Sequence, residues 1–181
     1  MEAYFDNKTN VLNARICAVL DDSVMYSVQT TFEFKGRRRT VLRDENPLPG
    51  VASSIAGAIN WTEKTFDILG HKKAHEEVRR SVGSLFNKTK YWRWSADRKE
   101  YQVSYTDDEW KATLDDGKTI AGRFCVPFRP HLFSKSKPVV IHLTSAALAE
   151  DEVFLLLAFI YSEVKRQDKT NTSTTNGTGG W

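Results

Sequence analysis

Residues 151–166 read DEVFLLLAFIYSEVKR, and this stretch constrains the rest of the chain. It begins with acidic residues and ends with basic ones, the polarity that stabilises a helix through its macrodipole. Its middle is apolar on every face rather than along one stripe, so a helix here must be enclosed on all sides. At about 1.5 Å per residue, a helix over 150–166 is roughly 25 Å long, which matches the height of a small domain.

Lipid or protein could enclose such a helix, and its length decides between them. The unbroken apolar run over 153–161 is much shorter than the ~20 residues that span a bilayer. We therefore expect protein around the helix, and a sheet closed or nearly closed about it, because almost everything upstream has the pattern of strands. An ordinary helix lying on one face of an open sheet is the alternative.

The upstream strands are indicated by alternation and by turn residues. Residues 24–34 alternate most clearly, with Val24, Tyr26, Val28, Thr30, Phe32 and Phe34 on one face. After a turn at Lys35-Gly36, residues 37–43 form the predicted return strand of a hairpin. Further hairpins and a β-meander follow, and in total the sequence predicts about ten strands.

The predicted organisation is one domain over residues 11–168. Residues 1–10 are polar and mixed, and we expect a flexible lead-in there. Residues 169–181 are mainly Thr, Asn and Gly, which predicts a disordered tail. Within the domain, the helical spacing of Ala74, Val78, Val82 and Leu85 predicts a short, basic, amphipathic helix over 71–86.

Composition bounds the class of protein. The 181 residues are 40% hydrophobic with a net charge of +3, which indicates a globular chain that permits an acidic partner without demanding one. The N-terminus has neither the basic nor the apolar region of a secretory signal, so we expect a cytoplasmic protein, peripheral at a membrane if it binds lipid. Cys17 and Cys125 are then expected to be thiols.

The sequence offers little for catalysis. His71 and His75 have a metal-like i, i+4 spacing, but two ligands without a third are weak evidence for zinc. The carboxylate clusters 107–109 and 115–116 fall at predicted turns, where Asp is favoured for backbone reasons. There is no Gly-rich phosphate loop and no nucleophile motif. We therefore expect no enzyme activity, no cofactor and no metal.

Basic clusters are the more informative feature. The candidate ligand-binding residues are Arg37, Arg38, Arg39, Lys72, Lys73, Lys88 and Lys90. Alternation along a strand places Arg37 and Arg39 on one face, and guanidinium groups bind phosphate in a bidentate manner. The competing interpretation is an ordinary solvated exterior.

Aromatic residues interleave with basic ones over 91–111, which raises nucleic-acid binding as a hypothesis. The aromatic residues are Trp92, Trp94, Tyr101, Tyr105 and Trp110, and the basic ones are Arg93, Arg98 and Lys99. Bases could stack on such side chains while the cations contact phosphates. Because these aromatic residues also share strand faces in pairs, a place in the core is favoured.

The succession of segments is similar to a known group of proteins. The segments are VMYSV at 24–28, RRRTVL at 37–42, INW at 59–61, YWRW at 91–94, WKATL at 110–114, IAGRF at 120–124 and the Leu-rich helix ending YSEVKR at 161–166. Over roughly 24–167 the chain resembles an uncharacterised family of mushroom-forming fungi. That family is similar to the tubby-like group, alongside the LURP-one-related proteins and phospholipid scramblases.

This resemblance implies a tubby-like fold, a closed antiparallel β-barrel of about a dozen strands around a central C-terminal hydrophobic helix. The segment 71–90 departs from it, being longer and more charged than a barrel connection requires. Tubby proteins bind phosphoinositide headgroups through basic residues of the barrel surface. We therefore expect a mainly β, non-enzymatic module that binds anionic phospholipid. A protein-interaction or adaptor domain is the alternative, and a nucleic-acid binder comes third.

Overall fold

The computed structural model describes residues 1–34, 36–50, 53–84, 88–126 and 138–175. These residues form thirteen strands in one antiparallel sheet, and two helices. The strands are β1 (Glu2–Phe5), β2 (Ala14–Ala18), β3 (Val24–Glu33), β4 (Gly36–Asp44), β5 (Ile55–Asn60), β6 (Thr65–Ile68), β7 (His71–Ala74), β8 (Arg79–Val82), β9 (Thr89–Trp92), β10 (Tyr101–Thr106), β11 (Glu109–Leu114), β12 (Ile120–Cys125) and β13 (Val139–Leu143). The helices are α1 (His75–Val78) and α2 (Ser145–Thr175).

The sheet is a long meander joined at its middle by the first and last strands. Its order is β7-β6-β5-β4-β3-β2-β1-β13-β12-β11-β10-β9-β8. Strand β1 pairs with β2 on one side and with β13 on the other, with Ala3 opposite Ile141 in the second pairing. The mainly β prediction is therefore confirmed.

Helix α2 is enclosed by the sheet. Its residues 154–160 are buried, and both halves of the sheet contact it. Trp61, at the end of β5, stacks on Tyr161, while Trp110 of β11 donates an Nε1–H hydrogen bond to Glu163 Oε2 at 2.8 Å. The sheet therefore curves around the helix, and the prediction of an enclosed C-terminal helix is confirmed.

Two glycines allow the helix to lie close to the sheet. A Cβ on Gly57 of β5 would lie 2.9 Å from side-chain atoms of Leu157 and Val153. A Cβ on Gly122 of β12 would lie 2.6 Å from Leu143 Cδ2 and 3.2 Å from Phe159 Cε2. These positions lack space for any side chain, because the core is packed at close to crystal density.

The sheet is not closed by pairing between its two edge strands, β7 and β8, in the described part of the chain. The two strands are consecutive, and the four residues of α1 join them. Over its described residues, 71–84, the predicted helix is thus wrong except at 75–78, and residues 85 and 86 lie outside the described part. Val78 is buried, but Ala74 and Val82 are exposed, so the helical spacing does not form a buried stripe and strand pairing with β6 and β9 prevails.

Both chain ends differ from the sequence prediction. Residues 2–5 form strand β1 instead of belonging to a flexible lead-in, because Ala3 and Phe5 are fully buried between two partner strands. Helix α2 continues to Thr175, although we predicted a disordered tail from residue 169. Elongating an existing helix costs much less than nucleating one, which explains the extension into Thr-rich sequence. The remainder of that predicted tail, 176–181, lies outside the described residues.

Helix α2 begins at Ser145, five residues before the start of the helix predicted over 150–166. Thr144 Oγ1 accepts a hydrogen bond from the Ala147 amide at 3.4 Å, as expected of an N-cap. The helix is interrupted at Asp151, whose φ of −133° and ψ of 20° are not helical. Neither helix in the described part of the chain has both the length and the apolar character needed to cross a membrane.

Candidate functional site

Basic side chains from five separate elements converge around the C-terminal half of α2. We call this group the cationic mouth, and it consists of Lys64 in the β5–β6 turn, His75 in α1, Arg79 in β8, Lys90 in β9 and Lys165 in α2. These elements meet around the C-terminal half of α2. Arg79 is the first residue of β8, and Lys90 is the second residue of β9. The mouth is a product of the tertiary fold.

Aromatic rings form the inner wall of the mouth. The rings of Trp61 and Tyr161 stack with centroids 5.3 Å apart and an interplanar angle of 7°. The His75 ring lies 4.5 Å from Tyr161, and Lys165 Nζ lies 5.6 Å from the Trp61 ring centroid. Arg79 Cζ lies 6.0 Å from the Tyr161 ring centroid. These cations therefore lie against aromatic rings. Cation–π contact stabilises their positions in the way that an ion pair with a carboxylate often does.

A small cavity opens at this wall. Its volume is about 90 Å³, and its lining includes Trp61, Lys64, Thr65, His75 and Lys165. His75 Nε2 and Thr65 Oγ1 are buried and have no hydrogen-bond partner among the described residues. Pockets that enclose drug-sized ligands measure ~300–1,000 Å³, so this cavity suits one small polar group rather than a whole organic molecule.

The electrostatic character of the mouth is visible in two pKa shifts. Burial lowers the pKa of His75 to about 4, and the positive charges of Arg79, Lys165 and Lys64 contribute. Burial also lowers the pKa of Lys90, with contributions from Arg79 and Lys169. Burial is the main reason that both groups are disfavoured in their charged form, and the neighbouring positive charges add to it.

The cations of the mouth are not neutralised by carboxylates of the described residues. Within the described residues, Lys64, Arg79, Lys90 and Lys165 form no ion pair with a carboxylate. The nearby carboxylate of Asp168 is bound by Arg37, with Arg37 NH1 3.0 Å from Asp168 Oδ1. The mouth therefore carries several positive charges that an external anion could neutralise.

The three arginines predicted from the sequence lie beside the mouth on β4 but do not act as one group. Arg37 turns inward to Asp168, and its Cζ lies 5.8 Å from the Trp61 ring centroid. Arg38 is exposed and pairs with Glu33, NH1 to Oε1 at 2.8 Å. Arg39 is half-buried opposite Asn60. The structure thus places one of the three against the mouth and one towards solvent.

The four predicted lysines are dispersed. Lys72 is exposed and pairs with Glu63, whereas Lys73 donates to the Trp94 carbonyl oxygen at 2.7 Å. Lys88 is exposed. Lys90 alone belongs to the mouth, where its Nζ lies 6.0 Å from the Trp110 ring centroid.

Sequence reasoning did not identify Lys64, Lys165, Trp61 or Tyr161 as site residues. These residues are separated by about a hundred positions in the chain, and no motif links them. Lys165 was explained as helix-terminal charge. One signal in the sequence could have identified Lys165. Burying an unpaired ammonium group is costly, so a lysine at the end of a buried helical segment has to lie where the helix reaches solvent.

The other sequence hypotheses have different outcomes. Trp92, Tyr101 and Trp110 are buried, as the core interpretation predicted. His71 lies in β7 and His75 in α1, so the pair lacks helical i, i+4 geometry, and no group of three metal-binding side chains occurs among the residues searched in the described chain. Both cysteines are free thiols.

A second depression is wide and shallow. It measures about 780 Å³ and lies beside the loop between β1 and β2, with Asp6 and Arg15 in its lining. These two side chains pair with each other, Arg15 Nε to Asp6 Oδ2 at 2.7 Å. Because its main charges are matched internally, this depression offers less than the mouth for ligand recognition.

Comparisons with protein-family models, curated proteins and solved structures find no match for this chain. Its function therefore has to follow from the chemistry of its own side chains. The convergence on an aromatic wall of cations that have no ion pair among the described residues is the feature with the clearest chemical meaning.

Proposed function

We propose that this chain is a non-enzymatic binding module for the phosphate-bearing headgroup of an anionic phospholipid, and that its cationic mouth is the binding site. A phosphate offers several acceptor oxygens, which match the ammonium groups of Lys64 and Lys165 and the guanidinium of Arg79. The observation that carries the proposal is that Lys64 and Lys165 line one small cavity while Arg79 lies against its Tyr161 wall, with no ion pair for any of the three among the described residues.

The proposed fold is a closed, tubby-like barrel. Support comes from the segment 71–82, which pairs with β6 through β7 and with β9 through β8. The His75 amide donates to the Lys64 carbonyl oxygen at 2.8 Å, and the Arg93 amide donates to the Val78 carbonyl oxygen at 2.9 Å. One continuous piece of backbone thus connects both edges of the sheet, as a barrel requires.

A binding role is favoured over catalysis by the size and chemistry of the cavity. A space of about 90 Å³ holds a single charged group while the remainder of a ligand stays outside. The buried carboxylate nearest the mouth, Glu163, accepts hydrogen bonds from Trp110, Arg166 and Gln167. A carboxylate so fully engaged is a poor general base.

A protein-interaction role is the second candidate, favoured by exposed apolar side chains at the opposite end of the sheet. Leu20, Leu48 and Leu69 lie in the connections β2–β3, β4–β5 and β6–β7, and all three are largely exposed. Binding of a protein through these leucines would tolerate salt, whereas headgroup binding would not.

Co-sedimentation with vesicles tests the proposed function. The vesicles are phosphatidylcholine with and without phosphatidylinositol bisphosphate, at low and physiological salt. We expect headgroup-dependent binding that weakens with salt. The variant Lys64→Gln/Lys165→Gln should bind about 30-fold more weakly, since each basic residue near an anionic surface contributes about 1 kcal/mol.

The matched control is Arg93→Gln/Lys118→Gln, which removes the same charge from exposed positions outside the cavity lining. It should bind as the wild type does. A second comparison, Arg38→Gln/Arg39→Gln, separates the mouth from the β4 arginines and should cause a smaller loss. Equal losses in all variants would indicate a nonspecific charge effect, and a wild type that does not sediment with the vesicles would refute the proposal.

A further inference from the structure

The alternating apolar pattern of β3 continues past the last of its residues that is buried in the core. Tyr26, Val28 and Thr30 are buried, in alternation, on the face that looks towards α2. The pattern continues through Phe32 and Phe34, but these two side chains are 60% and 106% exposed. A bulge between Thr31 and Phe32 shifts the register of the β3–β4 pairing just before these two side chains, although Phe32 remains paired with Arg37. Two phenyl rings at the tip of the hairpin therefore have little protein to pack against.

The hairpin tip lies at the same end of the molecule as the cationic mouth. Strand β4 begins directly after this tip, and its Arg37 contacts both Trp61 and Asp168. Trp61 in turn lies between Arg37 and Lys165, whose Nζ is 5.6 Å from the ring centroid. Strand β4, which follows the hairpin tip, thus contacts a ring of the mouth through Arg37.

Aromatic side chains beside cations match the chemistry of an anionic bilayer surface. The rings enter the boundary between headgroups and acyl chains, where amphipathic and aromatic groups accumulate, while the cations remain with the phosphates. We propose that the β3–β4 hairpin inserts Phe32 and Phe34 into the interface of an anionic bilayer whose headgroup the mouth binds. This inference rests on the proposed function and adds the insertion step to it.

Charge selects this end of the molecule over the opposite one. Leu20 and Leu48 are also largely exposed, but Asp21 and Asp22 follow Leu20 and Glu45 precedes Leu48, and none of these carboxylates has an ion pair among the described residues. Glu33, between the two phenylalanines, is instead paired with Arg38. An anionic surface repels the carboxylates beside the leucines. The two leucines therefore provide a control, also apolar and exposed but beside carboxylates without ion pairs among the described residues.

Paired substitutions test the insertion. The variant Phe32→Ser/Phe34→Ser should bind phosphatidylinositol bisphosphate vesicles at least tenfold more weakly, because each buried phenyl ring contributes substantially to transfer from water. Its affinity for water-soluble inositol trisphosphate should be unchanged. The control Leu20→Ser/Leu48→Ser should retain both affinities. Unchanged vesicle binding by the phenylalanine variant would overturn the insertion while leaving headgroup binding intact.

A second measurement reports position directly. In a Cys125→Ser background, Phe34→Cys or Leu20→Cys is labelled with an environment-sensitive fluorophore, because Cys17 is buried. Vesicle binding should shift the emission to the blue at position 34 and not at position 20. No shift at 34, a shift at 20, or a wild-type dimer that the phenylalanine variant dissociates would each overturn the proposal. Failure of the unlabelled wild type to bind vesicles would overturn the proposed function as well.

Discussion

At the scale of one residue, the sequence position of His75 does not indicate its surroundings in the folded chain. The sequence pairs it with His71 as a weak metal motif, whereas the structure places its ring 4.5 Å from Tyr161, under the positive charges of Lys64, Arg79 and Lys165. These are cations from the β5–β6 turn, β8 and α2, so the environment of His75 is assembled from distant parts of the chain.

The lowered pKa of His75 predicts a pH dependence of stability. The unfolded chain protonates this histidine near its ordinary pKa of 6.5, but the folded chain does so only at about 4. The free energy of unfolding should therefore fall as the pH is lowered through this window, since the unfolded state binds the extra proton. The contribution is fully present above the unfolded pKa.

Urea unfolding of the His75→Phe variant between pH 4 and pH 7 checks this prediction, with the limits chosen to bracket the two pKa values. The variant keeps an aromatic ring and should lose part of the slope seen in the wild type. His71→Phe, a substitution of the exposed histidine in β7, is the control and should keep the slope. Identical slopes for wild type and His75→Phe would contradict the assigned pKa. Titration of the carboxylates contributes equally to the pH dependence of the free energy of unfolding in both proteins, so this contribution cancels in the comparison.

At the scale of an element, α2 combines an apolar middle with polar anchors near its ends. Tyr101 donates its hydroxyl hydrogen to Asp151 Oδ2 at 2.7 Å, and burial raises the pKa of that carboxyl. Further along, the fully buried Glu163 accepts hydrogen bonds from Trp110 Nε1 and the Arg166 guanidinium. These bonds fix the rotation and depth of a helix whose apolar faces differ little from one another.

Removal of one anchor should therefore be costly. Glu163→Ala leaves the Trp110 N–H without its buried acceptor and removes the Glu163–Arg166 ion pair, and we expect a loss of about 3 kcal/mol in the free energy of unfolding. The adjacent Ser162→Ala is the control. Ser162 is also buried, but its hydroxyl has no partner among the described residues, so the change should be nearly neutral. Chemical denaturation of both variants gives the comparison, and equal losses would show that Glu163 contributes only packing.

At the scale of the whole molecule, the sheet depends on its first strand. β1 lies between β2 and β13, so it joins the half of the sheet formed early in the chain to the half formed late. Ala3 and Phe5 contribute fully buried side chains there, and the Phe5 ring lies 5.4 Å from Phe124.

Deletion of residues 1–10 should consequently abolish cooperative folding, since it exposes two central strand edges and removes core side chains. Thermal unfolding followed by circular dichroism, together with gel filtration, measures the outcome. We expect aggregation or a broad, non-cooperative transition. A soluble deletion variant with a sharp transition would mean that β2 and β13 pair without β1.

The sequence by itself determined the enclosed helix and most of the strands. Nine successive apolar residues over 153–161 require burial on every side, and regular alternation such as that over 24–30 defines a strand wherever it occurs, because both signals are local. Short strands were missed for the same reason. β1, β7 and β8 have four residues each, too few for a local pattern, and they form only because neighbouring strands supply their hydrogen bonds.

Only the tertiary structure decided where function could reside. The cationic mouth draws on a turn, a four-residue helix, two strands and the end of α2, and no spacing in the sequence connects Lys64 with Arg79 and Lys165. Likewise, alternation places Phe32 and Phe34 on the face of β3 that packs in the core. They are exposed because the core does not extend as far as the end of this strand. Local pattern fixes which face a side chain takes, whereas the extent of the core fixes whether that face is buried.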